Sequence, residues 1–229
     1  MKERPIIFST PMVQAILEGL KTQTRRVVKP FVDKSSWKKS AETREKEWRP
    51  QLRLAPVHHG YYDDMWCLFN KDDQPASVPY TGRRCPYGKH GDLLWVRETF
   101  CVWSYDNNDV WYKASPISSQ GWHNETLKNN GKKWKPSIHM PKKYARIWLE
   151  IVGVRVERVQ DISDVDAMAE GVKSNICLAS LEEPDYREEI GYRYAFSVLW
   201  DSINGKKEGC SWADNPWVWI VEFKRVEGK

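Results

Sequence analysis

The sequence has no uninterrupted apolar run approaching the roughly 20 residues a membrane-spanning helix requires, which argues against a helical membrane protein. It has no C-x-x-C pair either. Its five cysteines, Cys67, Cys85, Cys101, Cys177 and Cys210, are odd in number and scattered, so neither a disulfide framework nor a zinc knuckle is signalled and they read as reduced thiols. Internal repeats are missing, and 13 glycines and 13 prolines in 229 residues are too few for a collagenous chain. The opening Met1-Lys2-Glu3-Arg4-Pro5-Ile6-Ile7-Phe8 is too briefly apolar for a signal-peptide core and no small-residue cleavage site follows, so a cytoplasmic location is expected. What is in excess is tryptophan: 13 of them, with 10 tyrosines and 6 phenylalanines, make the chain 13% aromatic. With a net charge of +5 and mean hydropathy of −0.68, two uses are open, a Trp-heavy core or a surface that stacks on nucleobases of an acidic partner.

Several elements can be read locally. Ile6 to Phe8 is a short strand; Thr10-Pro11 cap and open a helix carrying Met12, Val13, Ile16 and Leu17, and Gly19 stops it. The β-branched residues after Lys21 predict a strand by about Thr24. Gly91-Asp92 precedes a strand over Leu93 to Glu98. The strongest β signal spans Ala145 to Val159, with Gly153 marking a bulge or bend. Ser163 caps a short helix with Asp166 at the capping-box position, running to Gly171. Phe196, Leu199, Trp200 and Ile203 define the core face of another helix closed by Asn204-Gly205, and the last strand, from Trp217, is apolar on both faces and expected to lie centrally. Between these, about 30–84, 102–135 and 173–190 lack periodicity and read as irregular insertions. The expected class is α+β, one domain over 1–229: a small closed β-barrel with short helices plugging its ends.

Two stretches are basic. Lys21 to Lys39 holds Lys21, Arg25, Arg26, Lys29, Lys34, Lys38 and Lys39 against Asp33; Lys128 to Arg146 holds Lys128, Lys132, Lys133, Lys135, Lys142, Lys143 and Arg146 with no acid. Trp37 and Trp134 are interleaved with them, the pattern of phosphate contact plus stacking, although such runs are also simply solvated faces. His139, in Pro136-Ser137-Ile138-His139-Met140-Pro141, either lines a cleft or makes a structural hydrogen bond, and Arg97-Glu98 is a pocket pair or an internal ion pair. The remaining histidines, His58, His59, His90 and His123, with Cys67 and Cys85, lack metal-ligand spacing, and no metal or cofactor is expected.

The run Gly19-Leu20-Lys21-Thr22-Gln23-Thr24-Arg25-Arg26 resembles the signature of the ASCH superfamily, G-x-K-x-x-E-x-R, with Thr24 standing where many members carry Glu. Members with Thr there include small bacterial amidohydrolases that remove the acetyl group of N4-acetylcytidine, and about half of this chain is similar to them in order. Nearly the whole chain is similar to longer ASCH-domain proteins of phages and prophages, through Arg4-Pro5-Ile6, Lys21 to Arg26, Gly91-Asp92 with Trp95 to Glu98, Pro136 to Pro141 and Asn215 to Trp219. The resemblance implies a PUA-like β-barrel that handles nucleobases or nucleic acid, RNA before DNA, with Lys21, Thr24 and Glu170 as the catalytic set of an amidohydrolase acting on a modified cytidine. Arg25, Arg26, Arg97, His139, Lys142, Lys143 and Trp134 are the candidate substrate or nucleic-acid contacts. A non-catalytic RNA- or DNA-binding phage accessory module acting on a host partner, and a ribonuclease, are the alternative implications.

The implied set makes chemical sense. A threonine hydroxyl is a weak nucleophile and needs a neighbouring base, which a lysine becomes when burial and nearby cations such as Arg25 and Arg26 lower its pKa. Glu170 then orients the lysine or carries a proton to the leaving amine. Residues three apart on a straight strand face opposite sides, so Lys21 and Thr24 share a pocket only if the chain turns between them. On spacing alone the same residues read blandly: Lys21 and Arg26 solvated, Thr24 a strand former, Glu170 an exposed helix end.

Overall fold

The computed structural model describes residues 1–28, 51–54, 66–69, 84–103, 109–115, 117–172 and 191–227, with the backbone alone at 51–54, 66–69 and 117–122. In chain order the elements are β1 (Glu3–Ile7), α1 (Thr10–Leu17), β2 (Gln23–Val27), β3 (Gln51–Leu54), β4 (Trp66–Phe69), β5 (Leu93–Arg97), β6 (Phe100–Val102), β7 (Val110–Tyr112), α2 (Ile117–Asn129), β8 (Trp148–Arg158), α3 (Asp164–Ala169), α4 (Tyr192–Asn204) and β9 (Trp217–Val226). Short 3-10 turns occupy Ser137–His139, Lys142–Tyr144 and Val159–Asp161. Among the described residues no helix is long and apolar enough to cross a membrane.

Five strands form one mixed sheet in the order β1-β5-β8-β9-β2, in which β1 and β5 run parallel and the other neighbours antiparallel. Strand β9 is interior, as its two apolar faces require. Its alternation sorts the core into two layers: Trp219, Val221 and Phe223 point to one face, Val218 and Ile220 to the other. The first face is covered by α1, through Val13 and Ile16, together with Ile6, Phe8, Leu94, Leu149 and Ile151. The second is covered by α3 and α4, through Ala167, Ala195, Phe196 and Trp200. The α+β class follows from a sheet that is antiparallel except at β1–β5, packed with helices that do not alternate regularly with parallel strands.

The expected closed barrel is not what the described strands form. Edges β1 and β2 do not pair in a ladder, and the sheet stays open in its hydrogen bonding. One side chain crosses the gap: Arg26 Nη2 donates 2.7 Å to the Ile7 carbonyl at the end of β1. Gly153 does mark a bulge, because the β8–β9 register slips by one residue between Ile151 and Gly153. A side chain at 153 would also strike Glu222, whose Oε2 lies 2.5 Å from where a Cβ would stand.

The helix ends differ in detail. Ser9 rather than Thr10 is the residue before α1, and Pro11 sits in its first turn. Ser163 caps α3 as expected, its Oγ accepting from the Asp166 amide. Gly205 ends α4 in right-handed rather than left-handed geometry, and Ile203 is 44% exposed, off the core face.

Two of the supposedly irregular insertions hold regular structure. Strands β3 and β4 pair antiparallel within 30–84. Strand β7, which pairs with β6 at the border of the region, and helix α2 fall within 102–135. This second region has its own small core of Cys101, Trp111 and Leu127, flanked by Trp103 and Trp134. Trp103 stacks on Trp111 at 4.4 Å and 7°, Trp111 on His123 at 4.4 Å, and Trp134 meets His123 edge-on. Packing thus accounts for three of the inserted tryptophans. The third predicted insertion, 173–190, lies outside the described residues, as do Trp37, Trp48 and the side chains of Trp66 and Trp122.

Candidate functional site

The site is built where the end of α1 meets the end of α3. After α1 the chain reverses at Gly19, whose φ of +75° suits only glycine at little cost. The amides of Leu20 and Lys21 then both donate to the Ala15 carbonyl, at 2.8 and 3.1 Å, tying Lys21 under the helix. Lys21 forms an isolated antiparallel bridge with Glu170, Thr22 N donates to Ala169 O at 2.9 Å, and β2 starts only at Gln23. Lys21, Gln23 and Arg25 all meet the α3 region, at Glu170 and Asp166, and no contact the structure shows joins Lys21 to Thr24. Thr24 and Arg26, two residues apart on β2, share one side of the sheet. Arg26 lies 5.3 Å over the Phe8 ring, and Lys21 Nζ lies 5.7 Å from the same ring.

Lys21 and Glu170, 149 residues apart, are brought into direct contact. Lys21 Nζ donates to Glu170 Oε2 at 2.8 Å and to the Glu170 carbonyl at 2.9 Å. Neither residue is solvated: Lys21 is 2% exposed and Glu170 5%. Burial pushes the Lys21 ammonium below its ordinary value against the pull of Glu170, and the charges of Arg26 and Arg25 push it further the same way. Glu170 sits at the C-cap of α3, where the helix dipole disfavours a carboxylate, and the two cations around it offset that penalty. Thr24 is buried on β2 at 2% exposure, and no hydrogen bond joins it to Lys21 Nζ, which directs two of its protons at Glu170.

Gly171 makes the close approach feasible. Its φ is +79°, and an added Cβ would stand 2.8 Å from Ala15 Cβ and 3.0 Å from Lys21 Cβ. Gly171→Ala is therefore expected to lower unfolding stability by about 1–3 kcal/mol, measured by denaturant titration, because it combines a left-handed backbone cost with a forced shift of Lys21.

The other sequence-predicted residues divide. Arg26 joins the Phe8 face. Arg25 points the opposite way, 5.9 Å over the Phe196 ring, and its two terminal nitrogens meet acids: Nη1 donates to Glu170 Oε1 at 3.2 Å and Nη2 to Asp166 Oδ2 at 3.0 Å. Behind it Asp166 accepts from Arg155 Nη2 and Gln23 Nε2. Burial works against the Asp166 carboxylate, but Arg25 and Arg155 outweigh it and hold its pKa below the usual carboxylate range. The sequence marks Asp166 only as a capping-box residue of α3 and gives no signal for Gln23 on β2 or Arg155 on β8, because polar residues scattered over separate elements carry no distinctive spacing.

Arg97, His139 and Trp134 are not gathered to the Lys21–Glu170 pair by any contact the structure shows. Arg97 Nε donates to the Met140 carbonyl at 3.1 Å and Nη2 donates to the Ile138 carbonyl, so it anchors the turn carrying His139. His139 itself is exposed. The partner of Glu98 is Arg146, in a two-pronged pair of 2.8 and 2.9 Å, rather than its neighbour Arg97. Trp134 Nε1 donates to Asn124 Oδ1 at 2.7 Å within the α2 region. Lys142 pairs with Glu3, and Lys143 is exposed beside the Tyr144 ring. Of the first basic stretch, Lys29, Lys34, Lys38 and Lys39 lie outside the described residues.

No family model, no curated protein and no solved structure matches this chain.

Proposed function

We propose that this chain is a PUA-like ASCH-domain protein that handles nucleobases, and that Lys21, Thr24 and Glu170 remove an N-acyl group from a modified cytidine. The observation that carries the reading is a fully enclosed lysine with lowered proton affinity, fixed by a carboxylate from a distant helix. Such a lysine is suited to act as a base.

In the proposed reaction neutral Lys21 takes the Thr24 hydroxyl proton as Thr24 Oγ1 attacks the acyl carbon. The amide C–N bond then breaks and the departing N4 takes that proton from Lys21. Water, deprotonated by the same lysine, adds to the acyl carbon; the bond to Thr24 Oγ1 breaks, Lys21 returns that proton to Oγ1, and the acid is released. Glu170 aims the Lys21 amine throughout by taking its N–H bonds, and neutral Lys21 turns its lone pair toward the Thr24 hydroxyl when substrate is bound. The reaction needs Lys21 neutral, so the rate of cytidine release from N4-acetylcytidine is expected to rise about ten-fold per pH unit below the Lys21 midpoint and to level off before the ordinary lysine value of 10.5. A rate independent of pH below that plateau contradicts the assignment of Lys21 as base.

A second reading is a non-catalytic RNA-binding module. It is favoured by the exposed Lys128, Lys133, Lys135 and Lys143, which stand in a stretch without acids. Its sign is salt-sensitive binding to single-stranded RNA with no turnover.

A further inference from the structure

We infer that Arg25 is a positioning residue for the Lys21–Glu170 pair, holding one Glu170 oxygen so that only the other is left to the lysine, and that Asp166, Glu157 and Arg155 lock it there from behind. This deepens the reading of Lys21 as the base and rests on it only for its consequence.

Arg25 has no route to a bound ligand. Its side chain is fully enclosed, and alternation along β2 places it on the face opposite Thr24 and Arg26. Its two terminal nitrogens go to carboxylates: Nη1 to Glu170 Oε1, and Nη2 to Asp166 Oδ2 with Glu157 Oε2 at 3.6 Å. Its Nε is buried and has no partner among the described residues. Whatever Arg25 does for chemistry on the Phe8 face, it does through Glu170.

The outer ring fixes Arg25 tightly. Arg155 Nη2 reaches both Asp166 oxygens, at 3.2 and 3.1 Å, its Nε donates to Glu157 Oε1 at 2.7 Å, and its Nη1 pairs with Glu222. Gln23 Nε2 holds the Asp166 carbonyl at 2.9 Å. In this network three cations, Lys21, Arg25 and Arg155, face four carboxylates, Glu157, Asp166, Glu170 and Glu222. With Arg25 in place, Lys21 shares Glu170 with a permanent cation and can give up its proton while the carboxylate keeps a partner. Without it, Lys21 is the only strong cation left on Glu170, and the acids favour keeping it protonated. The charged groups acting on Lys21 are Glu170 from α3 and Arg25 and Arg26 from β2, while α1 contributes no charge.

The test is the titration of the Lys21 amine, followed by NMR of protein labelled at lysine Cε and Nζ, with the signal assigned by its loss in K21M. In R25Q the midpoint is expected to move to higher pH, and in R25K, which keeps the charge, to return toward that of the parent. If R25Q does not fold, R155Q is the deciding variant: loss of the outer cation is expected to move the midpoint the same way by less. An unchanged or lowered midpoint in the folded variant overturns the inference. No substrate is involved, so a parent protein without turnover on N4-acetylcytidine leaves this result standing or falling by itself.

Discussion

Lys21→Ala is expected to reduce cytidine release from N4-acetylcytidine by about 100-fold to 10,000-fold, the range a positioned acid or base contributes. The size of the effect follows from how few substitutes the site offers. Among the described residues Lys21 is the one amine in contact with Glu170, and a guanidinium offers only donors, no acceptor. Among the described residues no base is in hydrogen-bonding contact with Thr24, so under the proposed reaction its proton goes to Lys21 only once the amine reorients toward it. The variant removes one cation from the pair, but Glu170 keeps Arg25 at 3.2 Å, so the carboxylate is not left bare and a folded variant is expected. Far-UV circular dichroism alongside the rate separates lost chemistry from lost structure. A folded K21A protein that retains the parent rate removes Lys21 from the mechanism.

Glu170→Gln carries the largest expected cost in stability, roughly 3–5 kcal/mol, which corresponds to a fall in Tm of roughly 6–20 °C for a chain of this size. The substitution conserves volume, so the cost is electrostatic. Lys21 and Arg25, both with fully enclosed side chains, lose their shared counter-charge. Lys21 can escape by shedding its proton and Arg25 cannot. The sign with pH follows: the folded-state pKa of Lys21 already lies below 10.5, so between that lowered value and 10.5 the unfolded chain binds more protons and raising the pH favours the fold. In the variant the window widens because the attraction of Glu170 is gone. The destabilisation relative to the parent is therefore expected to shrink as pH rises, which melts recorded from neutral to alkaline pH measure directly. A loss under 1 kcal/mol would show that the pair contributes little to holding α3 against the end of α1.

Much of the scaffold was legible because the relevant signals are local. Alternation of Ile147, Leu149 and Ile151, the glycine bulge at 153, the Ser163 cap and the Gly19 reversal each depend on neighbours within a few residues, and each appears where the pattern places it. Helix α2 was not legible. Its sequence, Ile117 to Asn129, is rich in Ser, Asn and Gly with no apolar stripe, and it is supported by Leu127, His123 and the Trp103–Trp111 stack rather than by propensity. The open edge between β1 and β2 was likewise hidden, since pairing depends on the whole sheet and not on either strand.

The candidate site was half legible. Spacing alone made Lys21 solvated and Glu170 an exposed helix end, and both are buried; only the family resemblance put them in one place. Arg25 was read as a ligand contact because a basic run cannot show which of its members meets an acid from elsewhere. The acids that claim it, Asp166, Glu157 and Glu170, come from β8 and the α3 region, more than 130 residues downstream. Tryptophan excess likewise resolves by position: Trp103, Trp111 and Trp134 pack on one another and on His123, so in that region aromatic density serves a small separate core.

The most direct measurement is a chromatographic time course of N4-acetylcytidine incubated with the purified protein and, in parallel, with folded K21A. The account predicts stoichiometric cytidine and acetate from the parent protein at a rate far above that of the variant. Equal traces from the two proteins, at the level of the buffer alone, would contradict it.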